Sequence, residues 1–280
     1  MTTPKIPSNL QPGPSAAFDN RKAFNLQDAG AARTVPFDRP WEWLAAGWRD
    51  LWQVPSVSLA FGGMALALGI ALGVVLLLAG LESLLPILAG GFLLVGPMLA
   101  IGLYEKSRAL KANETPSIAG SALAVRRASV SGLGLLTAFL LIVYILWLRV
   151  AFLLLALFLG THGLPPAREF MSTLLFTPQG LGLLVVGTAV GAVLASVVFT
   201  ATAISIPMVM DQKVDALTAV ARSFQAVAAN IKPMALWAVL IAGFIAFGIA
   251  TLGLGLLVTF PLVGHATWHA YCDIAQPQDN

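Results

Sequence analysis

The chain has 280 residues, 58% hydrophobic and only 10% charged, with a mean hydropathy of +0.85 and a formal charge of +3. A soluble domain carries about 25% charged and about 45–50% apolar residues. The composition therefore excludes an ordinary water-soluble enzyme, a nucleic-acid-binding domain, a disulfide-rich secreted scaffold and a disordered chain, and fits an all-α polytopic membrane protein.

Residues 1–36 are polar and rich in Pro, Gly and Ala, and read as a disordered tail rather than a signal peptide. The stretch FDRPWEWLAAGWRDLWQVP (37–55) then reads as an amphipathic interfacial helix. Asp38 suits its cap and Pro40 its first turn, and Trp41, Leu44, Trp48, Leu51 and Trp52 are expected on one face. Trp41, Trp43, Trp48 and Trp52 are its expected interfacial anchors, since tryptophan favours headgroup depth, and Arg39 and Arg49 can meet anionic lipid.

A membrane helix needs roughly 20 apolar residues to cross about 30 Å of hydrocarbon. Six segments meet or approach this, at about 57–80, 84–105, 131–159, 180–210, 234–251 and 253–272. The last two form one apolar run, broken at TLGLG (251–255) because a single helix there would be too long for one span. Two further amphipathic stretches, 115–129 and 211–233, precede the third and fifth segments. In the latter, Val214, Leu217, Ala221, Phe224, Ala228 and Ile231 share one face. The expected unit is an interfacial helix followed by a two-helix hairpin, repeated three times over 37–273, with 274–280 as a C-terminal tail. Pro97, Pro207 and Pro261 fall in the second helix of each unit.

Charge sets the orientation. Lys5, Arg21, Lys22, Arg33, Arg39 and Arg49 precede the first span; Lys106, Arg108, Lys111, Arg126 and Arg127 follow the second; Lys213, Arg222 and Lys232 follow the fourth. These are 14 of the 16 basic residues, and six crossings put them all on one side, which the positive-inside rule makes cytoplasmic along with both termini. The other side keeps Arg168 with Glu82 and Glu169.

FDRPWEWLAAGWRDLW (37–52), GFLLVGPMLAIGLYEKSR (91–108) and FPLVGHATWHAYCD (260–273), in that order, resemble the bacterial integral-membrane family catalogued as domain of unknown function 2189. The resemblance runs from about Val35 to Asp273. It implies a multi-pass protein of the bacterial inner membrane with six spans and no established activity, and some members carry the label of a cytochrome c oxidase subunit.

Few residues carry chemistry. His265 and His269, at i,i+4, can present two imidazoles to one metal ion, but a catalytic zinc needs about three protein ligands and His162 lies on the opposite side. Cys272 or Asp273 would have to help. Two histidines one turn apart cannot ligate both faces of a haem, so the pair also reads as part of a polar–aromatic girdle with Trp268 and Tyr271. Arg149 interrupts an apolar helix. If the span begins near 131, it lies about 27 Å along and snorkels to the outer surface. If the span runs 139–159, it is central and needs Glu169 or Glu82 as a partner. Gly69-x-x-x-Gly73 and Gly187-x-x-x-Gly191 permit close helix packing, within the monomer or in a homo-oligomer. P-loop, GxSxG, HExxH and CxxC motifs do not occur.

The leading expectation is a non-catalytic inner-membrane protein that assembles, scaffolds or regulates another membrane complex. It would contact the lipid bilayer, hold no resident cofactor and bind no nucleic acid. The alternatives are a small transporter for a hydrophobic or lipid-like substrate, and an accessory subunit of a respiratory complex holding a metal or haem at His265 and His269.

Overall fold

The computed structural model describes residues 33–114, 130–160, 165–212 and 214–275, and among these every regular element is helical. They are α1 (Arg39–Gln53), α2 (Pro55–Leu78), α3 (Leu85–Leu99), α4 (Ile101–Lys111), α5 (Val130–Leu159), α6 (Ala167–Phe176), α7 (Pro178–Thr202), α8 (Ser205–Gln212), α9 (Ala216–Ala229), α10 (Ile231–Ala250) and α11 (Leu256–Ala275).

Proline chemistry explains where the long apolar segments break. A proline ring clashes with the carbonyl four residues before it. For Pro97 that is Leu93, and the chain from Glu82–Gly91 to Leu93–Lys111 bends by 52°. For Pro207 it is Ala203, where α7 gives way to α8. The break is repaired from α9: the Ser223 hydroxyl donates to the Thr200 carbonyl at 2.6 Å and accepts from the Ile204 N–H at 3.3 Å. Such repair is what lets a broken helix persist in an apolar setting. Pro261 sits in the second turn of α11, and the helix continues through it.

Among the described residues, four helices are long and apolar enough to cross a membrane: α2, α5, the α7–α8 run and α10. The bent α3–α4 stretch would make a fifth if its two parts form one span. The expected sixth segment folds as α11 but is not among them. It carries Thr259, His265, Thr267 and His269, and Phe260, Leu262, Ala266, Trp268 and Tyr271 along it are all buried by protein.

The main core surrounds α11. Its Trp268 and Tyr271 are fully buried, as are Trp237 of α10, Leu51 of α1, Leu103 of α4 and Ile206 of α8. Glycines set the closest crossings. A Cβ on Gly62 of α2 would stand 2.2 Å from the Leu257 carbonyl oxygen, and one on Gly47 of α1 would stand 2.7 Å from the Ala266 nitrogen. Only a residue without a side chain lets these helices meet α11 so closely.

Both described amphipathic helices form, but their faces differ from expectation. α1 buries Pro40, Trp43, Leu44, Gly47, Asp50 and Leu51, whereas Trp41, Trp48 and Trp52 are exposed. Trp43 is thus a core residue, not an outward anchor; tryptophans on both faces made the inner one ambiguous in the sequence. α9 buries its small residues Ala216, Thr218, Ala219, Ser223 and Ala226 and exposes Leu217 and Phe224 of the apolar stripe, and Ile231 of that stripe is exposed at the start of α10. Asp38 makes no side-chain cap to α1, while Asp215 accepts from the Thr218 N–H and hydroxyl and caps α9. The stretch 115–129 lies outside the described residues. Residues 33–35, expected in the disordered tail, are pinned: the Arg33 N–H donates to Ile274 O, and Asn230 accepts from the Val35 N–H and donates to Arg33 O.

Candidate functional site

Polar side chains of three helices converge on α11. Ser58 comes from the first turn of α2, Asp50 from the buried face of α1, Ser107 from α4, and His265 and His269 from successive turns of α11. The contacts form a chain. His265 Nε2 lies 2.9 Å from Ser58 Oγ and its Nδ1 2.8 Å from Ser107 Oγ. Ser107 Oγ donates to Asp50 Oδ2 at 2.6 Å, and His269 Nε2 reaches the same oxygen at 2.8 Å.

Counting protons assigns directions. Ser107 has one hydroxyl proton and gives it to Asp50, so its oxygen accepts from His265 Nδ1–H. A neutral His265 then accepts at Nε2 from the Ser58 hydroxyl. His269 Nε2–H donates to the Asp50 carboxylate. Burial pushes the Asp50 carboxyl up, but the bonds from His269 and Ser107 outweigh it and hold the group below the usual aspartate range. Asp50, Ser58, Ser107 and His265 are all buried, and His269 is the partly exposed end of the chain.

A second polar contact lies one turn further along α11. Arg39 Nε and Trp43 Nε1 both donate to Asp273 Oδ2, at 2.7 and 3.1 Å. Burial raises the Asp273 carboxyl, and the Arg39 and Trp43 bonds more than compensate, so it too is held low. A third contact joins α8 to α11: Tyr271 OH donates to Asp211 Oδ2 at 2.7 Å and accepts from Gln212 Nε2 at 2.9 Å.

Chemically, the first network is a bolt between helices. A Ser–His pair resembles the start of a nucleophilic relay, but Ser58 and His265 are 0% exposed, so nothing reaches the Ser58 hydroxyl in this conformation. The sequence placed His265 and His269 on one face, and their shared neighbour in the structure is the Asp50 carboxylate. Both ring nitrogens of His265 are occupied by serine hydroxyls, so a metal ion there would have to displace them. Among the described residues no three His, Cys, Asp or Glu side chains are grouped as metal ligands. Asp50, Ser58 and Ser107 were not singled out in the sequence. A signal existed for Asp50, which continues the 43, 44, 47 spacing of the buried face of α1.

Arg149 stands apart. It is exposed on α5 among Ile142, Ile145, Leu146, Phe152 and Leu153, with no hydrogen bond or ion pair among the described residues. Glu169 is paired with Arg168 instead. Gly69 and Gly73 have nothing within 4 Å, and Gly191 faces the ring of Trp147.

Helices of this length and hydropathy, exposing aliphatic side chains, define an integral membrane protein in contact with the bilayer. Residues 84–211 match the family model described as "Predicted integral membrane protein (DUF2189)", which bears out the resemblance over that stretch. Comparison with curated proteins and with solved structures finds no match.

Proposed function

We propose that this is a non-catalytic protein of a bacterial inner membrane, with both termini cytoplasmic, that assembles, scaffolds or regulates another membrane complex. One observation carries the reading: the polar side chains are spent inward on fastening helices to α11, while the amphipathic helices turn apolar surface outward. Trp41, Trp48 and Trp52 on α1, Leu217 and Phe224 on α9, and Ile231 at the start of α10 are 45–74% exposed. Both helices lead directly into apolar helices, α1 across Val54 and α9 across Asn230. Their outer faces therefore lie where membrane and cytoplasm meet, available to headgroups and to a neighbouring membrane protein. The orientation rests on the placement of 14 of the 16 basic residues. Two of the three expected repeat units keep their amphipathic leader as a described helix.

Purification from native membranes in a mild detergent tests the role. A stable stoichiometric membrane partner, lost when Trp41, Trp48 and Trp52 are replaced by Ser, is the expected result. A single species with no companion would overturn it.

A further inference from the structure

The contacts between α2 and the α10–α11 pair fix how far that pair reaches. On α2, Ser58 is level with His265. Gly62 is level with Leu257, whose carbonyl fills the space a side chain would need. A Cβ on Gly253 would lie 2.9 Å from Leu66 Cδ1. At Gly253 the chain is already turning back, with Leu252 and Gly253 at φ of 55° and 85°. The turn is therefore level with the middle of α2, and about 18 Å of α2 continues beyond Leu66 at 1.5 Å per residue.

Burial along α2 changes at the same level. Val57, Ser58, Gly62 and Ala65 are buried, but residues 67–71 are exposed on every side. Gly69 and Gly73 have nothing within 4 Å, and burial returns only at Leu76. At its other end, α11 is tied to α1 and the segment before it through Asp273 and Ile274, and Trp237 of α10 stacks edge-on against Trp43 at 5.8 Å. Much of the length of both helices is thus used beside the amphipathic helix α1, not beside α2.

The turn itself suits hydrocarbon. No Asp, Glu, Lys or Arg occurs between Lys232 and Asp273. Leu252 and Leu254 are 91% and 61% exposed. Four of the five backbone N–H groups from Leu252 to Leu256 are bonded locally: Gly253 donates to Ile249 O, Leu254 to Thr251 O, Gly255 to Thr251 Oγ1 and Leu256 to Gly253 O. Such local bonding suits a turn within lipid, where water is not there to serve the backbone. The turn after α2, by contrast, carries Glu82, and α6 begins with Arg168 and Glu169.

We infer that α10 and α11 form a re-entrant hairpin that enters the bilayer from the side of the chain termini and turns back near its midplane, instead of crossing twice. The volume beyond the turn is taken by lipid acyl chains of the far leaflet, since Ala67, Leu68, Ile70, Ala71, Val74 and Val75 offer only aliphatic surface there. Both termini stay on one side, as two full crossings would also leave them.

A nitroxide at Leu252→Cys, in a full-length chain with Cys272→Ser, tests this after reconstitution into phosphatidylcholine–phosphatidylglycerol vesicles. Oxygen and nickel-chelate accessibilities should place the label near the bilayer centre. The same label at Glu82→Cys should sit at headgroup depth or in water. Leu254→Cys gives an independent reading if the first variant does not fold. A label at residue 252 or 254 in the headgroup region of the far leaflet, or in water on either side, overturns the inference.

Discussion

The two halves of α2 belong to one apolar helix and live in different surroundings. From Pro55 to Leu66 the helix lies against α11, with Ser58 bonded to His265 and Gly62 closed onto the Leu257 backbone. From residue 67 to Leu78 it is purely aliphatic apart from glycine, and only Leu76 is buried. Both halves belong to one apolar span. Glycine at 62 is a requirement of packing, and glycine at 69 or 73 is not. Stability is therefore concentrated where polar bonds and close crossings coincide, around α11, while the far halves contribute lipid-facing surface.

The sharpest way to break this contrast is to substitute the glycines. Gly62→Val drives a side chain into backbone that cannot step aside. The expected loss is at or beyond the upper end of the roughly 1–3 kcal/mol that overpacking costs, seen as failure to accumulate or a large drop in Tm in detergent. Gly69→Val on the same helix should stay within about 0.5 kcal/mol. Equal effects from the two would show that the halves do not differ as described.

Next comes the bolt itself. Asp50→Ala leaves Ser107 and His269 without their acceptor, and an unpaired buried polar group costs about 1–3 kcal/mol. The acid response gives a second readout. Because the folded Asp50 carboxyl is held below the ordinary value, its contribution is complete above the unfolded aspartate pKa of about 3.9 and is lost as pH falls below it. Asp273 adds to the same limb, since it too is held low. Asp50→Asn should flatten the decline in stability below about pH 4, and an unchanged acid profile would remove Asp50 from this role.

The two faces of α1 supply a smaller contrast. Trp43→Phe loses the bond to Asp273, and a hydrogen bond to a charged group is worth about 1.5–3 kcal/mol. Trp41→Phe, at a 55% exposed position, should change detergent stability by no more than about 0.5 kcal/mol. A Trp41 effect as large as that of Trp43 would reverse the assignment of inner and outer faces.

These contrasts also show what the sequence could convey. Apolar runs marked the helices because length and hydropathy are local properties, and α2, α5 and the α7–α8 run lie close to their expected bounds. Pro97 and Pro207 were visible too, but as members of the second helix of each expected unit; the breaks beside them came with the structure. Faces were harder: α1 carries tryptophan all round, so periodicity could not say that Trp43 turns inward and Trp48 outward. The Ser58–His265 contact joins residues 207 apart, and no local pattern pairs them. The level of the 251–255 turn was least legible, because hydropathy measures how much chain is apolar and not what lies beside it.

Arg149 is the smallest and most specific test of the lipid-facing halves. Trp147 donates from Nε1 to the Ile87 carbonyl at 2.7 Å, which fixes α5 against the first turn of α3. Ile87 is three residues past the turn that carries Glu82, so it lies near the far end of the second apolar segment. Arg149 is two residues further along α5 than Trp147, about 3 Å at 1.5 Å per residue, and so sits at the level of that turn. A guanidinium there can extend along the helix to the headgroups with its stem in lipid, which avoids most of the roughly 2.5–3.5 kcal/mol cost of a mid-bilayer arginine. It needs no carboxylate partner, in keeping with the pairing of Glu169 to Arg168. Arg149→Leu should therefore leave Tm in detergent unchanged or slightly raised, and Arg149→Lys, with a similar reach, should match the parent in membranes. A substantial loss of stability in the leucine variant would mean that the charge is held by protein, and that this stretch of α5 faces a neighbour instead of lipid.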